Sequence, residues 1–535
     1  MIYLVHPKIV INNQHLIKEI VLPFGKVYFG GYFTHNGLLY DKNNIKTFFK
    51  KESTFLQNIS QLIGEFVLII TTTEKTFAFV DRKRSIPLFY YKDSNNWVLS
   101  DKILNKNETN LNKTAVKEFI LTGFTAGNKT MLEDFFQIEA GCYLEVSGLE
   151  DPVQKEYYQF YHQPMDLSLE VYSGQLKEIF LQVFDDLYKR LLNKTPILPL
   201  SGGYDSRIIA LLLREYGVSN IISFTYGKVG NKESIVSKDI ADRLGLDWHF
   251  IEYKKENWRT WYQSEEWKEY VEFAGNASSM AHLQDWPAVT EIVRKQDEDY
   301  VFIPGHSGDF LAGSHLPYEI TLDKKFTKKD VVQFILQKHH KLWEMGKGIE
   351  LQGKDILEEI ERSFGQLNYE TNEQASALFE YWDWKERQAK FIINSVRVYE
   401  YYQKSWEIPL WDDRLMEFFK KVPVELRFKK YLYDYTLHQM YPSYFPAPMK
   451  PEGNQASLKN KYGMFYGVAK KAYNQKKLYQ QYFTEPMEWF GIYGSYPGYI
   501  RELSFTYDKI KYKQPYNINS FLVKDYILSL KGDSK

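Results

Sequence analysis

The sequence predicts an α/β protein with two domains, on the evidence of its length and of two patterns along the chain. Its 535 residues exceed what one hydrophobic core normally organises. Short strand-like segments such as 66–80 fill the N-terminal part, whereas helical periodicity begins near Leu167. Farther along, strand-like and helical segments alternate, which is typical of a parallel sheet covered by helices. We predict domains at residues 1–165 and 166–535.

The elements of the predicted parallel sheet follow in order along the second domain. A helix is predicted at 170–192 and precedes a short strand at 197–200. A second strand is predicted at 219–227 and a third at 249–253, with an amphipathic helix at 232–247 between them. Helical segments dominate the rest of the chain, so we expect a helical C-terminal part.

Composition and charge argue against several classes of function. Lys plus Arg and Asp plus Glu both total 68, and this balance disfavours nucleic acid or an anionic membrane as the main partner. No apolar run approaches the roughly 18 residues of a membrane span, and the N-terminal segment lacks the pattern of a signal peptide. The single cysteine, Cys142, excludes an intrachain disulfide and a cysteine-cluster metal site. We therefore expect a cytoplasmic protein.

A glycine loop with the sequence SGGYDS separates the first predicted strand from the next helix. Gly202 and Gly203 allow close approach of the backbone, and the helix N-terminus attracts negative charge. The loop has neither the lysine of a nucleotide P-loop nor GxGxxG spacing. Asp205, between Ser201 and Ser206, would repel phosphates unless a divalent cation lay between them. The loop therefore predicts a Mg²⁺-pyrophosphate site, against the alternative of a structural strand–helix turn.

This loop resembles the pyrophosphate-binding motif of the N-type ATP pyrophosphatases, and other segments narrow the resemblance to asparagine synthetase and its relatives. Segment 302–315 looks like the second signature of that family, with Gly305, Asp309 and Gly313 in register. The resemblance implies ATP and Mg²⁺ as cofactors, with Asp205 and Asp309 as the two carboxylates that face the metal. Taken alone, Asp309 would be interpreted as a turn residue.

Two later segments extend the resemblance to the catalytic lysine. Segment 406–437 is similar to the ExRxPFLD stretch and the helix after it, and 444–454 to LPxxILWRxKEGF. The match places Lys450 on the lysine that neutralises charge on the α-phosphate and acyl oxygen in the transition state. Lys429 and Lys430 are the alternatives.

The remaining ATP contacts are implied by the resemblance alone. Ser201 would contact the α-phosphate, and Ser223 and Thr225 lie where the family recognises adenine through the backbone. Together with Gly202, Gly203, Ser206 and Gly305, they complete the predicted nucleotide site.

The N-terminal part resembles the glutaminase domain of the same family, and this implies an Ntn-hydrolase-like αββα sandwich before a doubly wound ATP pyrophosphatase domain. Four segments carry the resemblance: 34–41, 64–70, 81–91 and 124–146. That glutaminase uses an N-terminal cysteine as nucleophile, whereas residue 2 here is Ile2. We therefore predict a degenerate domain that does not hydrolyse glutamine.

A second departure lies in the 302–315 signature. His306 replaces the first glutamate of SGEGSDE, and Phe310 replaces the last. Imidazole titrates near neutral pH, so His306 could deprotonate an attacking amine or could simply fill the site.

The sequence thus predicts an ATP-dependent amide-forming ligase that adenylates a carboxylate and transfers it to ammonia or an amine. The expected partners are a small-molecule or peptide carboxylate and an amine donor, and a homodimer is compatible with the sequence. Stretches 281–289 and 404–412 resemble relatives from surface-polysaccharide clusters. The alternatives are a ring-closing synthetase of the lasso-peptide or β-lactam type, and an inactive scaffold. The neutral charge and single cysteine disfavour a tRNA-modifying pyrophosphatase.

Overall fold

The structure is a computed structural model of the chain. It describes residues 6–51, 58–103, 109–192, 194–295, 299–342, 354–450, 479–480, 482–504 and 518–531.

The N-terminal part is built mainly from strands. These are β1 Lys8–Val10, β2 Ile17–Leu22, β3 Gly25–His35, β4 Leu38–Asp41, β5 Ile63–Thr71, β6 Thr76–Val80, β7 Phe89–Asp93, β8 Asn96–Ser100, β9 Phe135–Gln137, β10 Cys142–Val146 and β11 Val153–Glu156. Two helices accompany them, α1 Ile45–Lys51 and α2 Lys113–Thr122.

These strands form two sheets that pack face to face. One sheet has the order β11-β10-β6-β5-β3-β2, with β4 on β3, and the other has the order β1-β8-β7-β9. Successive side chains of strand β5 point to opposite faces of its sheet, as in any β-strand. Its Ile69 shares a buried core with Leu99 of β8, whereas Leu68 packs with Phe48 of α1 on the outer face. Helix α2 covers the outer face of the smaller sheet, so the layers run helix, sheet, sheet, helix.

The second part of the chain combines a parallel sheet with many helices. Its strands are β12 Thr195–Pro199, β13 Ile222–Gly227, β14 Asp247–Glu252, β15 Tyr300–Phe302 and β16 Ser405–Trp406. Its helices are α3 Leu169–Arg190, α4 Tyr204–Glu215, α5 Lys232–Leu244, α6 Lys255–Gln263, α7 Glu265–Gly275, α8 Trp286–Lys295, α9 Gly308–Leu311, α10 Lys328–His339, α11 Lys354–Ser363, α12 Asn372–Trp382, α13 Arg397–Tyr401, α14 Asp413–Phe419, α15 Val424–Arg427, α16 Tyr431–Met440, α17 Tyr496–Ser504 and α18 Ile518–Leu530.

Shorter helical segments complete the description. A π-helix spans Asp383–Ile392, and 3₁₀ turns lie at Ile59–Gln61, Tyr318–Thr321, Ile393–Val396, Pro409–Trp411, Phe428–Lys430 and Trp489–Tyr493. Across the described ranges, no helix is both long enough and apolar enough to cross a membrane.

The parallel sheet has the strand order β14-β13-β12-β15-β16. Ile197 in the central strand β12 pairs with Ile222 on one side and Phe302 on the other. The chain leaves β12 towards β13 and returns later to β15, so the order reverses at β12. In open α/β sheets, ligands bind outside the carboxyl ends of the strands at such a reversal. The predicted α/β class with a parallel sheet is confirmed, and the boundary between residues 165 and 166 stays a prediction.

Local signals explain where the helices around this sheet begin and end. The side chain of Ser168 accepts a hydrogen bond from the backbone of Val171 and caps α3. Asn231 caps α5 in the same way, and α5 ends at Gly245 with a φ of 62°. A left-handed residue at this position closes the helix, and glycine adopts it without strain.

A buried charge cluster joins the two parts of the chain. The Nζ of Lys83 lies 3.2 Å from Glu65 and 3.2 Å from Asp413, which belongs to α14. The other oxygen of Asp413 accepts a hydrogen bond from the backbone of Gly64 at 3.0 Å. Buried charges are tolerated when they are paired in this way. The N-terminal sheets therefore contact the parallel-sheet part through specific polar groups.

Candidate active site

The glycine loop lies between β12 and α4, at the carboxyl end of the central strand. Its two serines hold it in shape: the backbone N–H of Ser201 donates to Oγ of Ser206 at 3.1 Å. The backbone N–H of Gly203 donates to Oγ of Ser201 at 3.2 Å. Gly203 is the residue that precedes α4 and has no side chain to cap the helix. The N-terminal N–H groups of α4 and its dipole are therefore directed at the loop, which suits an anion.

Two aspartates from distant parts of the chain meet beside this loop. The backbone N–H of Asp309 donates to Oδ2 of Asp205 at 3.1 Å, and the hydroxyl of Tyr433 donates to Oδ1 at 2.9 Å. Ser314 donates to a carboxylate oxygen of Asp309 at 3.0 Å. Burial, followed by the negative charge of Asp309, raises the pKa of Asp205 to about 7. A buried carboxylate beside a second carboxylate supplies the oxygen donors that a Mg²⁺ ion prefers.

Glycines make this approach between the two loops feasible. A Cβ atom on Gly305 would lie 3.0 Å from the backbone nitrogen of Ser206 and 3.1 Å from Cβ of Asp205. A Cβ atom on Gly308 would lie 3.0 Å from Oδ2 of Asp205. Both separations are tighter than ordinary contacts, so side chains at these positions would push Asp309 away from Asp205.

The lysine whose charge acts on Asp205 is Lys430, which lowers the pKa of that carboxyl. Its Nζ lies 5.1 Å from the ring centre of Tyr204 and 3.3 Å from Asp434. Lys430 therefore stands at the predicted metal site. Lys450 is exposed in the segment after α16, and its predicted role stays a prediction.

Residues 196–449 match the asparagine synthase family. The chain therefore contains an asparagine synthase domain within this range. No curated protein matches the chain. Among solved structures, glutamine phosphoribosylpyrophosphate (PRPP) amidotransferase from B. subtilis, complexed with ADP and GMP, is similar at 12% identity over 44% of this chain and 73% of that chain. The TM-score is 0.19, which is too low to indicate a shared overall fold.

The family match supports an ATP-dependent amide-forming ligase in general terms. The predicted adenine contacts lie on β13 of the asparagine synthase domain, and both are buried. Ser223 donates to the carbonyl of Asp247, and Thr225 donates to the carbonyl of Leu200 at 2.5 Å. Their side-chain hydroxyls are thus used within the sheet. Recognition of adenine there stays a prediction.

His306 is partly buried and lies three residues before Asp309, in the segment between β15 and α9. Its Nε2 is hydrogen-bonded to the hydroxyl of Ser395 at 2.7 Å. Burial, and then the neighbouring His282, lower the pKa of His306 to about 4. The ring is therefore neutral at physiological pH and able to accept a proton, although it is a weak base.

The structure places a second histidine, His282, near His306, and the sequence did not predict this. Nδ1 of His282 lies 2.8 Å from Oδ1 of Asp285. Burial lowers the pKa of His282, but the charge and hydrogen bond of Asp285 outweigh it and raise that pKa overall. The His-x-x-Asp spacing in segment 281–289 was a visible signal. Tyr433 carried no such signal, because its contact with Asp205 depends on the packing of α16.

Two further sets of residues are buried and bear on the functional interpretation. Trp258, Trp267 and Trp286 are buried and pack edge to face, so they belong to the core and do not form an exposed stacking surface. Cys142 is buried as well, and burial raises the pKa of its thiol, which disfavours the nucleophilic thiolate. Ile2 lies outside the described residues.

Proposed function

We propose that the chain is an AMP-forming ligase that activates a carboxylate with ATP and transfers the acyl group to ammonia or an amine. The observation that carries this proposal is the meeting of Asp205 and Asp309 beside the glycine loop, with Lys430 at the same place. The carboxylate of the substrate attacks the α-phosphorus of ATP, and pyrophosphate leaves. The amine then attacks the acyl carbon and displaces AMP.

Asp205 and Asp309 would hold Mg²⁺, which supplies positive charge to the triphosphate when it is bound. The fit rests on the raised pKa of Asp205, since a buried carboxylate next to another one needs a compensating cation. The backbone N–H groups of residues 201–206 and the dipole of α4 would bind the leaving pyrophosphate. Lys430 would stabilise charge on the phosphate oxygens, and Lys450 would act on the α-phosphate and acyl oxygen.

His306 would receive the proton of the attacking amine. Its ring is neutral at physiological pH, and the hydrogen bond to Ser395 fixes its orientation. A base with a pKa near 4 does not compete with the amine for protons before attack, but it can accept one as the nitrogen becomes positively charged. Filling of the site without proton transfer is the alternative for this residue.

The amine source follows from the N-terminal part. The single cysteine, Cys142, is buried and burial raises the pKa of its thiol, so it is unsuited to be the nucleophile of the glutaminase reaction, and we propose that the enzyme does not hydrolyse glutamine. Free ammonia, a separate amine or an amine within the same substrate would serve. An amine within the same substrate would make the enzyme a ring-closing synthetase. With ammonia or a separate amine, a uronic acid is a candidate for the carboxylate.

ATP–pyrophosphate exchange in the presence of Mg²⁺ tests the proposal, with amino acids, uronic acids and short peptides as carboxylates. Asp205→Ala should abolish exchange, whereas Asp185→Ala, which removes a half-exposed carboxylate of α3 paired with Lys189, should leave it intact. AMP release with added ammonia and amines covers the case in which the amine must bind first. Binding of ATP without exchange or AMP release under any of these conditions would leave the inactive scaffold as the function.

A further inference from the structure

A second polar cluster lies next to the loop that carries Asp309. It consists of His315, His339 and Asp383, which come from the segment after α9, the end of α10 and the start of the π-helix. Nδ1 of His315 lies 2.5 Å from Oδ2 of Asp383, and Nε2 of His339 lies 3.4 Å from the same oxygen. The three side chains are 12%, 2% and 0% exposed, respectively. Three distant segments thus bring two imidazoles and a carboxylate into the interior.

His339 is oriented with one ring nitrogen facing Asp383. Its Nε2 is close to the carboxylate of Asp383, yet it is buried without a hydrogen-bond partner. A buried ring nitrogen without a partner is costly unless a ligand satisfies it. The ring is held in place by stacking on Phe379 and Trp382, with ring centres 5.6 Å and 5.5 Å away. The nitrogen is therefore fixed beside the carboxylate but not directed into a hydrogen bond with it.

The distances agree with the ligands of one metal ion. All three donor atoms lie within 4.8 Å of one another. Ligands at 2.0–2.1 Å from a tetrahedral ion are roughly 3.3 Å apart, close to the separation between His339 and Asp383. His315 and Asp383 are closer than this because they are hydrogen-bonded to each other, and an ion would take the place of that hydrogen bond.

A hydrogen bond also holds the second carboxylate oxygen of Asp383 in place. Its other oxygen, Oδ1, accepts a hydrogen bond from Nε2 of Gln388 at 3.2 Å, and Oε1 of Gln388 accepts one from Ser307 at 3.0 Å. Hydrogen bonds of this kind orient metal-binding carboxylates in known sites. Through Ser307 the cluster is connected to the loop that carries Asp309.

We propose that His315, His339 and Asp383 bind one Zn²⁺ ion, with water in the remaining position. Two imidazoles and one carboxylate are a ligand set typical of Zn²⁺, whereas Mg²⁺ prefers oxygen ligands alone. The ion joins the segment after α9 to α10 and to the π-helix, and so fixes the loop of Asp309. This site is separate from the ATP site, and it stands whether or not the ligase reaction is confirmed.

Isothermal titration of the full chain with Zn²⁺, after removal of metals with a chelator, tests the proposal. One ion should bind per chain at micromolar concentration or below, and excess Mg²⁺ should not displace it. Co²⁺ in place of Zn²⁺ should give visible absorption bands of a low-symmetry, four-coordinate site. Failure of the metal-free wild-type chain to bind Zn²⁺ would overturn the proposal and would leave a hydrogen-bonded His–Asp–His group.

Variants locate the ion. His339→Ala and Asp383→Asn should each weaken Zn²⁺ binding by roughly 100-fold. His340→Ala is the matched control, because His340 is the next residue, is also buried and lies outside the cluster. Zn²⁺ should raise the melting temperature of the wild type and of His340→Ala, but not of the other two. Wild-type affinity in a folded His339→Ala protein would place the ion elsewhere and refute the assignment.

Discussion

Replacement of Gly305 by alanine tests the close contact on which the proposed metal site depends. The new Cβ would stand 3.0 Å from the nitrogen of Ser206 and 3.1 Å from Cβ of Asp205, so the two loops must separate by a few tenths of an ångström. Overpacking of this kind costs about 1–3 kcal/mol in the free energy of unfolding. Because the shift also changes the distance between Asp205 and Asp309, we expect pyrophosphate exchange to fall by about tenfold or more.

The assay combines exchange rates with thermal unfolding of the same preparations. Gly174→Ala is the control, because Gly174 is exposed in α3 and a Cβ there meets nothing within 4 Å. That variant should keep its activity and gain about 0.5–1 kcal/mol from helix propensity. If Gly305→Ala matched the wild type in both rate and melting temperature, the packing argument for the two aspartates would be wrong.

Three further predictions follow from buried or charged groups. The pKa of His306 is about 4 in the folded protein against an ordinary 6.5, so its contribution to the free energy of unfolding is present above pH 6.5 and falls by about 2 kcal/mol between pH 7 and pH 5. In urea titrations at both pH values, the stability of His306→Gln should therefore change less with pH than that of the wild type. An unchanged pH dependence would contradict this. Lys430→Met should lower pyrophosphate exchange at least about tenfold, and an unaltered rate would leave Lys450 alone in that role. Arg427→Met should lower the free energy of unfolding by about 3–5 kcal/mol, because it leaves the buried Glu380 without its ion pair. A decrease below about 1 kcal/mol in a denaturation experiment would show that the ion pair is not needed for stability.

Local periodicity was enough to predict the elements of the parallel-sheet part from α3 to β14. The predicted helix at 170–192 is α3, Leu169–Arg190, and the predicted strand at 249–253 is β14, Asp247–Glu252. The predicted strand at 197–200 is Thr195–Pro199, displaced by one or two residues because pairing with β15 begins at Thr195. Element ends depend on partner strands, whereas the elements themselves are encoded in runs of apolar residues.

By itself, the sequence determined the α/β class, and it predicted an anion-binding loop at 201–206 with Asp205 and Asp309 as carboxylates that face a metal ion. Whether the two carboxylates meet was decided only by the tertiary structure. They are 104 residues apart, and they come together because β12 lies between β13 and β15 and the loops after β12 and β15 leave the same edge of the sheet. The same packing brings Lys430 to Asp205 and His315 to Asp383. A motif records which side chain is present, but the order of strands and the packing of helices set the distances at which such side chains act.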